Sequence, residues 1–164
     1  MMICQYRLPS SSVPSGCVAG WNRQRRAALT SSQSNGLGDV VGRRDARVVA
    51  VVDDDEGFRS ALQRFLRGCA FQVEAFASGK EFLRSNRLDA IGCVILDVAM
   101  PEMSGLEVQQ QVTARGLQIP IVFVTAHWDD DVVRHAAAGA CAVLRKPVDH
   151  EELVRLVREA LATQ

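Results

Sequence analysis

The sequence predicts an α/β protein, a doubly wound five-stranded parallel sheet flanked by five helices. Three observations carry that expectation. Short apolar runs recur five times after Arg47, and each is followed by a segment of helical periodicity. Three of those helical segments open on a capping pair, a Ser or Asp followed three residues later by Glu. Most of the runs are apolar throughout, as in strands covered on both faces. Strands alternating with helices need crossovers, and crossovers make the strands parallel and clothe both sides of the sheet.

The first strand is VVAVV at 48–52, and Asp55 sits where a helix cap belongs. Phe58, Ala61, Leu62, Phe65 and Leu66 then recur at helical spacing. FQVEAF at 71–76 alternates apolar and polar, which suits a half-covered edge strand. Ser78 with Glu81 opens a short second helix. IGCVIL at 91–96 is a buried third strand, and Ser104 with Glu107 opens a helix running to about Ala114. IPIVFV at 119–124 is the fourth strand. A helix at 129–138 is stopped by Gly139. CAVLR at 141–145 is the fifth strand. Asp149 with Glu152 starts the last helix, whose Leu153, Leu156, Val157, Ala160 and Leu161 share a face.

Residues 1–46 differ in kind. They hold seven Ser, five Gly, two Pro and six Arg against two acids, with no sustained periodicity. Such a segment cannot bury enough apolar surface to offset its ordering entropy, so a disordered extension is expected. Translation starting near Val40 or Val41 is the alternative. GLGDVVG at 36–42 follows no strand, so it does not read as a phosphate loop. The 164 residues thus divide into this extension and one domain at 47–164.

The formal net charge of zero hides an asymmetry: 1–46 carry +4 and 47–164 carry −4. An acidic body argues against a nucleic-acid groove. No apolar run reaches the roughly 18 residues that would span a bilayer, and no clean signal sequence opens the chain. The five cysteines show no C-x-x-C spacing, and Cys93 and Cys141 read as small buried hydrophobes. A cytoplasmic, reducing compartment is expected.

In open sheets of this kind ligands sit beyond the carboxyl ends of the strands. Those ends carry Asp53 and Asp54, then Asp97, Thr125 and Lys146. Like charges crowded at a strand end repel one another, unless a divalent cation neutralises them. Mg2+ takes hard oxygen ligands and invites phosphoryl oxygens to complete its shell. A compact ammonium at Lys146 and a hydroxyl at Thr125 suit the rest of a phosphoryl group. A carboxylate at the centre can itself be the nucleophile, and Asp97 is the candidate.

The segments VVDDDE (51–56), VILDVAMPEMSGLE (94–107), IPIVFVTAH (119–127) and GACAVLRKPV (139–148) together resemble the receiver domain of two-component response regulators, closest in phrasing to FixJ-type receivers. The resemblance covers about 118 of the 164 residues. It implies a flavodoxin-like strand order of 2-1-3-4-5. It also implies Asp97 as the phosphoacceptor, and Mg2+ or Mn2+ held by Asp53, Asp54, Asp97 and the Ala99 carbonyl. Thr125, Ala126 and Lys146 would bind the phosphoryl group, with a cis bond to Pro147. Ala99 and His127 would tune how fast the phosphate is lost.

Two positions depart from the family. Val143 stands where an aromatic residue usually lies three before the lysine, and Val148 replaces a frequent Phe. The expected function is a stand-alone receiver, not an enzyme, loaded by a histidine kinase or a His-containing phosphotransfer protein. It would signal to a protein effector by contact, without nucleic acid or membrane. The fourth helix, with Val132 and Val133, the fifth strand and the fifth helix would form the contact face and a homodimer surface. Trp128, at the start of that fourth helix, would suit a partner. The alternatives are a phosphorylation-independent interaction module and a Mg2+-dependent phosphatase with an Asp nucleophile. The second is disfavoured because that class usually puts a D-x-D pair at the end of the first strand, whereas here the adjacent acids and the nucleophile lie on different strands.

Overall fold

The computed structural model describes residues 47–126, 130–137 and 139–162. The expectations for 1–46, His127 and Trp128 lie outside these residues, as do those for the side chains of Val132 and Val133.

Five strands form one sheet: β1 (Val48–Val52), β2 (Gln72–Phe76), β3 (Ile91–Asp97), β4 (Ile121–Thr125) and β5 (Ala142–Arg145). Their order is β2-β1-β3-β4-β5 and every pairing is parallel. The helices are α1 (Glu56–Gly68), α2 (Gly79–Arg84), α3 (Gly105–Ala114), α4 (Asp130–Ala137) and α5 (His150–Ala162). A short 3-10 turn at Leu88–Ala90, which periodicity did not announce, leads into β3.

Alternation along the strands sorts the core into two layers. Ala50, Val52, Val94, Leu96 and Phe123 face one side and pack with Phe82 of α2, Val108 of α3 and Ala136 of α4. Val49, Val51, Cys93, Ile95 and Val124 face the other side, against Leu62 and Leu66 of α1 and Leu153 and Val157 of α5. Residues 48–52 and 91–97 are buried throughout, because β1 and β3 lie centrally with both faces covered.

The capping signals act locally. Asp55 accepts from the Phe58 N–H and starts α1. Ser104 and Glu107 form a complete capping box on α3. Ser78 accepts from the Glu81 N–H, but the Glu81 carboxylate reaches one residue further back, to the Ala77 N–H at 2.7 Å. Asp149 accepts from Glu151 and Glu152 N–H at 2.9 and 3.1 Å.

Some expectations need correction. β4 begins at Ile121 rather than 119, since Pro120 has no N–H to give the ladder. Ala61 is exposed, so the core stripe of α1 is narrower than its apolar spacing suggested. Cys141 is also exposed, because it precedes the short edge strand β5 rather than lying inside it. α4 does end before Gly139, yet Gly139 takes no left-handed φ, and among the described glycines only Gly116 does.

Candidate functional site

The sheet register builds the site. Val52 of β1 pairs with Leu96 of β3, so the next residues, Asp53 and Asp97, leave neighbouring strands side by side. They are 1% and 6% exposed, while Asp54 points outward into solvent. One carboxylate oxygen from each of Asp53, Asp54 and Asp97 falls within 4.8 Å of the other two. Lys146, just past β5, reaches across to this group. Its Nζ donates to Asp53 Oδ2 at 2.6 Å and to Asp97 Oδ2 at 2.9 Å.

The remaining carboxylate oxygens are also held. Asp53 Oδ1 accepts from the Asp55 N–H at 2.9 Å, and Asp97 Oδ1 accepts from the Ala99 N–H at 3.2 Å. Arg59 Nη1 donates to the Asp53 carbonyl at 2.6 Å, pinning the turn between β1 and α1. Gly105 lets α3 approach β3: a methyl group there would stand 2.3 Å from the Asp97 carbonyl oxygen. The chain thus positions both buried acids through backbone as well as side-chain contacts.

Burial sets the electrostatics. It raises the Asp53 pKa above its ordinary value, and the hydrogen bonds from Lys146 and the Asp55 N–H only partly offset that. Burial alone would lower the pKa of Lys146, but the hydrogen bonds to Asp53 and Asp97 outweigh it and the net shift is upward. The site is therefore an ammonium shared by two buried acids, with a third acid at its mouth. It offers hard anionic oxygens to a cation, and one ammonium to an anion.

The other expected residues sort as follows. Thr125 is wholly buried at the end of β4, and its carbonyl accepts from the Lys146 N–H at 2.8 Å. Ala126 and Ala99 are exposed at the ends of their strands. The Lys146–Pro147 bond is cis, as expected. Val143 is half-buried against the apolar layer that includes Phe123. Two contacts escaped the sequence reading. Phe58 belongs to the core stripe by its spacing, yet Lys146 Nζ lies 4.2 Å from its ring centroid. Arg59 gave no signal beyond an arginine on a helix.

Residues 49–158 match the response regulator receiver domain. The chain belongs to that family. The receiver is 44% identical over 117 residues to the response regulator protein TodT of Pseudomonas putida, a match covering 71% of this chain and 52% of TodT. The chain spans about half the length of the curated relatives it matches. Among solved structures, the response regulator StyR is 42% identical, with a TM-score of 0.66 over 71% of this chain and 60% of StyR. FixJ-N is 28% identical, with a TM-score of 0.64 over 71% of this chain and 94% of its own. The receiver is thus a module of two-component signalling with the flavodoxin-like strand order. Among the described residues no helix is long and apolar enough to cross a membrane.

Proposed function

We propose that this receiver takes a phosphoryl group from phosphohistidine onto Asp97 and signals by protein contact. The supporting observation is the single ammonium of Lys146, 2.6 Å from Asp53 and 2.9 Å from Asp97, with Asp54 in the same carboxylate cluster. The donor set fits a divalent cation, since three hard oxygens converge and the single ammonium of Lys146 offsets only part of their charge. Asp53, Asp54, Asp97 and the Ala99 carbonyl would hold Mg2+ or Mn2+. When bound, the ion neutralises the carboxylates and draws phosphoryl oxygens toward them.

The chain's own residues do the rest. An oxygen of Asp97 attacks phosphorus, the P–N bond breaks, and its electron pair returns to the imidazole, which takes up a proton. The Lys146 ammonium turns from a carboxylate to a phosphoryl oxygen. The Thr125 hydroxyl donates to another, with Ala126 beside it. Ala99 is too small to shield the acyl phosphate from water, and the family resemblance gives His127 a part in the same tuning. These two residues set a self-catalysed loss of phosphate, so the chain accepts and releases a phosphoryl group without turning over a substrate.

The donor is a histidine kinase or a His-containing phosphotransfer protein in the cytoplasm. The recipient is a protein effector, reached through the face made by α4, β5 and α5, which also serves a homodimer. Incubation with acetyl phosphate and Mg2+ tests the reading. Wild type should gain one phosphoryl group by intact mass, and Asp97→Asn should fold normally and gain none. An adduct that persists in Asp97→Asn, or wild type that stays unmodified, would sink it. The half-buried Val143, lacking an aromatic ring, favours a second reading as a phosphorylation-independent interaction module. Partner binding by Asp97→Asn equal to wild type, with or without acetyl phosphate, would support that reading instead.

A further inference from the structure

We propose that Phe58 is a positioning residue for Lys146, its ring holding the ammonium that meets the phosphoryl group. The inference rests on the phosphoacceptor reading above. Among the described residues, Lys146 Nζ has three near partners: Asp53 Oδ2 at 2.6 Å, Asp97 Oδ2 at 2.9 Å and the Phe58 ring at 4.2 Å. An ammonium carries three N–H donors, and two are committed to carboxylates. The ring covers a further side of the cation, where its negative face attracts positive charge and excludes water.

The three partners differ in one respect. Asp53 and Asp97 are both expected to serve a divalent cation, so the metal competes with Lys146 for them. An uncharged ring ligates no metal. Phe58 is therefore the partner that Lys146 keeps whether the acidic cluster is loaded or empty. Its placement is not left to packing alone. The Phe58 N–H donates to Asp55 Oδ1 at 3.0 Å, the Asp55 N–H donates to Asp53 Oδ1 at 2.9 Å, and the adjacent Arg59 clamps the Asp53 carbonyl. The ring and the buried acid thus sit on one tied turn.

Three measurements test this. Leu keeps the apolar bulk at position 58 and removes the ring face, while Tyr restores the face. In the metal-free protein, side-chain proton resonances of Lys146 should be shifted upfield by the ring and should lose that shift in Phe58→Leu but keep it in Phe58→Tyr. By calorimetric titration, Phe58→Leu should bind Mg2+ about threefold more tightly, because an ammonium no longer kept beside the loaded cluster repels the ion less. In a Lys146→Gln background the same change should leave Mg2+ affinity unmoved. With saturating Mg2+, Phe58→Leu should be phosphorylated by acetyl phosphate several-fold more slowly, and Phe58→Tyr at close to the wild-type rate.

An unshifted lysine signal in wild type overturns the proposal. So does an equal effect of Phe58→Leu on Mg2+ affinity with and without Lys146. The resonance needs neither metal nor phosphate, so failure of the phosphoacceptor reading, seen as wild type that takes no phosphoryl group, is distinguished from failure of this one.

Discussion

At the scale of single residues, Lys146 carries the most consequence. Its pKa is raised above the ordinary lysine value, so the folded state holds that proton more tightly than the unfolded chain does. The stability this supplies is complete below the unfolded value of 10.5 and is lost as pH rises through the higher folded value. Asp53 works the other way. Its raised pKa means that charging it in the metal-free fold costs stability, a cost relieved as pH falls back toward the ordinary value of 3.8. Lys146→Gln should therefore flatten the alkaline decline in stability seen in wild type. Urea melts at pH 9 and pH 11 in EDTA would check this, and an unchanged decline would count against the pairing.

At the scale of elements, the loop from β3 to α3 is closely packed. Gly105 lies against the backbone of Asp97, and its N–H donates to the Val98 carbonyl at 2.9 Å. Gly105→Ala should destabilise the fold by about 1–3 kcal/mol, as overpacking of a close contact does. It should also slow phosphorylation, since relief of the clash moves Asp97. Chemical denaturation and the acetyl phosphate assay would report the two effects separately, and a neutral Gly105→Ala would disprove the close approach.

The strands and most helix starts were legible in the sequence because apolar period and caps are local signals. VVAVV, IGCVIL and the Ser104–Glu107 pair needed no tertiary information. The acidic cluster was legible because parallel strands bring their ends to one edge. The Phe58 contact was not, since an aromatic at helical spacing looks the same whether it meets leucines or an ammonium. Exposure of Cys141 escaped for a related reason: an edge strand's true start depends on its neighbour, not on its own residues.

For the whole molecule, a divalent cation held by the acidic cluster would link metal binding to folding. A ligand bound only by the native state raises stability by about 2.7 kcal/mol at a hundred times its dissociation constant. Mg2+ should accordingly raise the melting temperature of wild type and much less that of Asp54→Ala. Without metal, Asp54→Ala should be slightly more stable than wild type, because one of three clustered carboxylates is gone. Its exposure keeps that gain small. Melting curves in EDTA and in Mg2+ would check both, and a marked loss of metal-free stability in Asp54→Ala would refute the repulsion argument.

Lys146 follows the edge strand β5, while Asp53 follows β1 and Asp97 ends β3, so its ammonium spans the whole width of β4. It is a tie-rod between the rim of the sheet and its middle. Slackening it would leave the rim strand hanging on its seam with β4, and solvent deuterium should enter the β5 amides sooner in Lys146→Gln than in the parent protein.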